Sequence, residues 1–292
     1  MPDAAPAAPF RRLGPSPAGC PVLLSVPHAG RAYSEALLRA ARVPLARLEM
    51  LEDRLVDRLV WRAVEEGAAA VVADAPRAEI DLNRDERELD AGMIVPRPNP
   101  SGLVDSARMR GGLGLVPARM SGAGAIWRER IQASEIVRRI EAIHRPYHRR
   151  LEEELREIRR SFGVAILLDC HSMPPRAGGG GVGGGEAQIV LGDRHGTSMA
   201  PDLVAAAEGA VREAGFSVAR NEPYAGGHIT ACHAQPAGGI HALQIEIDRS
   251  AYLAPDLRSP GAGFDRTARL LAAVVRALTA QALGSSHAIA AE

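Results

Sequence analysis

Short apolar runs alternate with longer amphipathic stretches along most of the chain. "PVLLSVPHAG" (21–30) is an apolar run halted by Pro27, the pattern of a short buried strand. In "LEMLEDRLVDRLVWRAVEEG" (48–67), Leu48, Leu51, Leu55 and Leu59 recur at helical spacing and the run ends at Gly67, which predicts a helix. "AAAVVADA" (68–75) reads as the next strand, while Gly, Pro, Ser and Arg dominate 92–125 and predict long loops. A long helix is expected over 134–163, with Ser134 as N-cap, Gly163 past the end and a kink or split at Pro146. Strands follow at 164–169, 187–193, 216–221 and 242–250, with helices at about 200–214 and 263–282.

Helices alternating with short apolar strands predict an α/β fold: a mostly parallel or mixed central sheet with helices on both faces. No repeat or composition break divides the chain, so a single domain over 1–292 is expected, with its core at about 20–283 and flexible ends at 1–19 and 284–292. Ligands of such sheets bind beyond the carboxyl ends of the strands. Three strand exits carry chemistry there: "SVPHAG", "LLDCHS" and "LQIEID".

Composition narrows the function classes. The 292 residues are 46% apolar with 35 basic and 35 acidic residues, so no basic excess exists to grip nucleic acid or an anionic membrane. Every non-histidine base is arginine, and the absence of lysine excludes a Walker-A lysine, a Schiff base and a lysine general base. Three cysteines without CxxC spacing fit a reducing compartment. The N-terminus lacks the apolar core of a signal peptide, and no stretch approaches the roughly 20 apolar residues of a membrane span. A cytoplasmic protein is expected. Nothing in the sequence sets an oligomeric state.

His28 and His171 leave two strands, and Asp53 and Asp57 lie four apart on the helical stretch between them, hence on one face. Two imidazoles and a carboxylate form a common catalytic zinc set with a position open to water. Glu246 alternates with Ile245 and Ile247, pointing away from both, where a carboxylate can serve as general base and then acid. Taken singly, each has an ordinary use: a hydrogen-bonded strand-end histidine, solvated helix acids, a polar strand face. Other sets are weaker. Asp169, His171 and Ser172 hold the residue types of a serine triad without a GxSxG elbow. Cys170 reads as buried structure, His144 and His148 as core or pocket-lining residues around Pro146, His195 as a turn residue, and "GGGGVGGGE" (178–186) as a flexible loop.

"DLNR" (81–84) resembles a signature of the zinc-dependent carboxypeptidase and aspartoacylase superfamily. With "SVPHAGR", "LEDRLVDRL", "LLDCHSMP", "VLGDRHGTS", "NEPYAGGHIT" and "LQIEIDRSAYL" in order, the chain resembles the N-formylglutamate amidohydrolase family over about 20–280. The resemblance implies a zinc-exopeptidase-like (phosphorylase/hydrolase-like) domain holding one zinc ion on His28, Asp53 and His171. It makes Glu246 the catalytic carboxylate and Asn83 and Arg84 the receivers of a substrate carboxylate. Position 31 is Arg31 rather than the acid of an HxxE pair, so Asp53, Asp57 and Glu52 all remain candidates for the acidic ligand. The second substrate carboxylate falls to Tyr224, Gly227, His228, Arg249 or Arg220. The implied reaction is hydrolysis of an N-formyl or N-acyl acidic amino acid, N-formyl-L-glutamate first, in histidine degradation. A relative with other acyl or amino-acid specificity and a non-catalytic binding protein are the alternatives. The same ligand set also accepts iron, cobalt or manganese.

Overall fold

The structure, a computed structural model, describes residues 8–120, 122–176 and 186–289. Contacts gather the chain into two compact units. One takes the chain up to Arg11 together with His28–Glu52 and Val72–Arg149; the other takes Arg12–Pro27, Asp53–Val71 and the chain from Arg150 onward.

Most of a seven-stranded mixed sheet lies in the second unit. Its strands are β1 (Phe10–Leu13), β2 (Val22–Val26), β3 (Ala69–Ala73), β4 (Ala165–Met173), β5 (Ile189–Gly192), β6 (Val218–Arg220) and β7 (Ile240–Asp248), in the order β1-β3-β2-β4-β7-β5-β6. β4 is the central strand and is buried along its whole length, which is why its apolar run shows no alternation. Parallel pairing sets Ser25 of β2 beside Asp169 of β4, and Glu246 of β7 beside His171 of β4. β5 runs antiparallel to β7 and parallel to β6. The expected mixed α/β architecture is thus present. Phe10–Leu13 adds an edge strand within the stretch expected to be flexible.

A helical turn ending at Leu51 and two short helices, α2 (Val56–Leu59) and α3 (Trp61–Glu65), replace the single helix expected over 48–67. The chain is extended at Glu52 and left-handed at Leu55, with φ 62°. A non-glycine residue in that region ends helical propagation, so Asp53 and Asp57 do not share a helix face. The leucine spacing that suggested one helix spans separate short segments, with the break at Glu52–Leu55.

In the first unit, Ser34 caps the short helix α1 (Glu35–Ala40) by accepting from the Leu37 N–H. Loops with 3₁₀ turns and two-residue strand pairs fill 91–132, as the glycine and proline content predicts. Beyond them, α4 (Ala133–Arg139) passes through a π-helical turn, Ile140–His144, into α5 (Arg145–Phe162) without a break. Pro146 was expected to kink or split this segment. A proline clashes with the carbonyl four residues earlier, here Ala142, and the widened turn relieves that clash.

Two further helices of the second unit, α6 (Pro201–Glu213) and α8 (Phe264–Ile289), pack on each other, and α8 also covers α2, α3 and β2. Among the described residues no helix is long and apolar enough to cross a membrane. Leu168 lies fully buried in β4. Leu168→Ala should therefore destabilise the protein by about 2–5 kcal/mol, checked by urea denaturation.

Candidate active site

β4 extends through Met173, so His171 lies inside the strand rather than past its end. Residues two apart share a strand face, and His171 Nε2 donates to Asp169 Oδ2 at 2.8 Å. Asp169 also accepts from Ser25 Oγ, its neighbour in β2, at 2.8 Å. The other ring nitrogen, His171 Nδ1, lies 3.0 Å from Asp53 Oδ2. Asp53 Oδ1 accepts from Ser172 Oγ at 3.2 Å and from Arg249 Nη2 at 3.3 Å, and Arg249 Nε donates to Ser172 Oγ at 3.1 Å. The extended backbone at Glu52 and the turn at Leu55 make this reach possible. Tyr252, fully buried, secures the turn by donating to the Arg54 carbonyl at 2.7 Å.

Burial opposes a charge on His171. Asp169, together with the hydrogen bonds to Asp169 and Asp53 and the field of Glu246, outweighs it and holds the imidazole well above its ordinary pKa. Glu246 is buried and stands beside His171 in register, accepting from Gln244 Nε2 at 2.9 Å. The alternation that aimed Glu246 away from Ile245 and Ile247 also brings it to the face that carries His171 and Asp169.

A second imidazole–carboxylate pair lies in the first unit. His28 Nε2 donates to Asp81 Oδ1 at 2.7 Å. Asp81, wholly buried, also accepts from Arg77 Nε at 2.9 Å and from the Asn83 N–H at 2.9 Å, with Arg84 Nε at 3.8 Å. Burial raises its pKa, but Arg77, Arg84 and His28 win, and the carboxyl stays well below its ordinary range. The sequence reading gave Asp81 no role, although its place two residues before Asn83 offered the signal. Gly30 closes the "PHAG" turn against the backbone of Ala75: a Cβ there would sit 2.0 Å from the Ala75 carbonyl oxygen.

Arg84 is buried as well, donating from Nε to the Leu113 carbonyl at 3.0 Å and from Nη1 to the Asn83 carbonyl at 2.5 Å. Its Nη2 is buried with no hydrogen-bond partner among the described residues. The guanidinium is thus tied to two backbone carbonyls through Nε and Nη1, with the Nη2 donors left over.

The remaining expected residues sort as follows. Glu52 accepts from Tyr33 Oη at 2.7 Å, whereas Asp53 is the acid on His171. Asp57 is buried on α2. Arg220 donates to Asp193 at 3.0 Å. Tyr224 lies in the loop after β6, and Gly227 is the N-cap of α7 (His228–His233), which His228 opens. Gly192 has no room for a Cβ, which would meet the Tyr224 carbonyl and the Ala225–Gly226 peptide at 2.6–2.8 Å. Burial, with Asp169 adding to it, pushes the Cys170 thiol far up, so it is no nucleophile. The glycine tract falls largely outside the described residues.

Residues 20–253 match the N-formylglutamate amidohydrolase family. The chain is 34% identical over 241 residues to the N-formylglutamate deformylase of Pseudomonas putida, covering 80% of this chain and 82% of that protein. It is 31% identical over 264 residues to the enzyme of the same name from Pseudomonas aeruginosa, covering 88% and 91%. The crystal structure of N-formylglutamate amidohydrolase from Ralstonia eutropha JMP134 superposes with a TM-score of 0.81 at 33% identity, covering 97% of this chain and 99% of that one. A gene product of Agrobacterium tumefaciens shares the fold at 19% identity, with a TM-score of 0.66 and coverage of 96% and 97%.

The raised pKa of His171 carries a signed consequence for metal-free protein. Its charged form adds stability that is complete below the unfolded value of about 6.5 and is lost as pH rises through the higher folded value. Melting of chelator-treated protein from pH 6 upward should therefore show wild type falling toward His171→Gln. A gap between them that widens with pH would contradict the charged imidazole.

Proposed function

The chain belongs to the N-formylglutamate amidohydrolase family, and on that footing we propose that it hydrolyses N-formyl-L-glutamate to formate and L-glutamate, with histidine degradation as the setting. The observation that carries the chemistry is the pair of imidazoles backed by buried carboxylates, His171 by Asp169 and His28 by Asp81.

We assign His28, Asp53 and His171 as the ligands of one divalent ion, zinc in the first place. All three are buried. With Nε2 of each ring committed to a carboxylate, Nδ1 is the nitrogen that each presents, the usual outcome of a carboxylate–histidine–metal arrangement. β2 and β4 are parallel neighbours with Ser25 beside Asp169. His171 stands two residues beyond Asp169, on the same face of β4. When bound, such an ion polarises an amide carbonyl and lowers the pKa of water toward roughly 7.

The chain's own groups do the rest. Glu246 removes a proton from the attacking water, whose oxygen bonds to the formyl carbon, and delivers a proton to the amine nitrogen as the C–N bond breaks. Burial next to His171 suits Glu246 to a carboxylate that alternates between base and acid. Arg84 receives one substrate carboxylate on Nη2, with Asn83 beside it. Tyr224, Gly227 and His228 take the other, and Arg249 supports it from a guanidinium already fixed by Asp53 and Ser172.

Purified protein should carry a divalent ion, and formate release should vanish on chelation and return with zinc. His171→Ala should lose the ion and the activity together. Glu246→Gln should keep the ion while turnover falls by about 10²–10⁴-fold; near-normal turnover in this variant would remove Glu246 from the role of base. Arg84→Gln should raise KM for N-formyl-L-glutamate by more than it lowers kcat.

A further inference from the structure

The Leu82–Arg84 segment is a turn with no place in a strand or helix, yet its side chains must hold a substrate carboxylate to within a fraction of an ångström. Buried carbonyls outside regular structure need donors from elsewhere. Two histidines supply them. His144 Nε2 meets the Arg84 carbonyl at 2.9 Å, and His148 Nε2 meets the Leu82 carbonyl at 2.9 Å. A carbonyl only accepts, so both rings carry their proton on Nε2. The spacings match: histidines four apart share one helix face, and both reach carbonyls of this one turn.

We propose that His144 and His148 are positioning residues that set the grip of Asn83 and Arg84 on the substrate carboxylate, by clamping the two backbone carbonyls that flank Asn83. The proposal rests on the role given to Asn83 and Arg84 under the proposed function. Several features make the clamp rigid. The two imidazoles brace each other with ring centroids 4.4 Å apart. Tyr147, fully buried, meets the His148 ring edge-on at 6.1 Å. On the far side of Arg84, Arg145 holds Glu86 through two hydrogen bonds of 2.9 Å each. His144 is the last residue of the π turn, so the extra backbone residue in that turn fixes which way its ring faces. Burial pushes the His144 pKa below its ordinary value, consistent with a neutral ring that donates from Nε2.

The clamp has a direct effect on Arg84. Its Nη1 is tied to the Asn83 carbonyl, in the same stretch of backbone that the histidines hold. Fixing the carbonyls on either side of Asn83 therefore fixes the direction of the unused Nη2. A misplacement of about 1 Å can cost on the order of 10²-fold, and here the cost falls on carboxylate binding rather than on the formyl amide.

The test is steady-state kinetics of zinc-loaded His144→Leu, His148→Leu, His144→Gln and His148→Gln, with metal content and melting temperature measured alongside. Leucine keeps the bulk and loses the donor; the glutamine amide restores a donor at nearly the same reach. Leucine variants should raise KM for N-formyl-L-glutamate by about tenfold or more, with kcat within about threefold and the ion retained. Glutamine variants should recover most of the wild-type KM. Masking one substrate carboxylate as its amide, each in turn, should penalise wild type more than the leucine variants for one of the two substrates. Leucine variants with unchanged KM, or with ion content and kcat falling together, would overturn the clamp. Should the leucine variants not fold, the glutamine variants decide: near-wild-type KM supports the clamp, and a tenfold rise at an unchanged melting temperature overturns it. Wild-type formate release is the separate control. Its absence overturns the proposed function, whereas normal wild-type turnover with the wrong variant pattern overturns only the role of the histidines.

Discussion

A carboxylate buried in the middle of a sheet needs hydrogen-bonding partners, and Asp169 meets His171 on its own strand and Ser25 on the next. That requirement organises the second unit's share of the site. Holding His171 by Nε2 turns Nδ1 toward Asp53, and His171, the Arg249 guanidinium and the Ser172 hydroxyl together make a buried Asp53 tolerable in turn. The break between Leu51 and Val56, costly as helix, becomes the means by which a carboxylate reaches a strand. Each polar group satisfies the next, so removing one leaves a buried charge exposed to the full desolvation penalty.

Asp81 is the corresponding hub of the first unit. A single carboxylate accepts from His28, Arg77 and the Asn83 backbone, and lies near Arg84. Orientation of an imidazole and the shape of the turn that presents Asn83 and Arg84 are thereby one problem with one solution. One carboxylate thus supports both the His28 ring and the turn that carries Asn83 and Arg84.

Much of this was legible in sequence, for physical reasons. Strand periodicity of two placed Glu246 on the face that His171 shares, although the strand of His171 runs on through Met173. The mixed sheet followed from alternating elements. What periodicity cannot register is a single residue in an unusual backbone state: Leu55 at positive φ splits an otherwise convincing helix, and nothing in leucine announces it. The π turn before Pro146 escaped for a similar reason, since a proline reads as a break when the helix has instead widened. Asp169 was noted among the residue types of a serine triad, and it supports His171 instead, while Asp81 was passed over because Asn83 and Arg84 drew the chemistry. The pairing of His144 and His148 with two carbonyls some 60 residues away depends on tertiary folding that no local pattern encodes.

The register that sets Glu246 beside His171 also bears on how this chain can diverge. Substitutions accumulate one side chain at a time, but insertion or loss of one residue in β7 between Ile240 and Glu246 would turn that carboxylate to the opposite face and bring an isoleucine to its place. Central strands here are closed to length variation in a way that loops are not. Length changes are therefore confined to the loops, while Glu246 keeps its place beside His171.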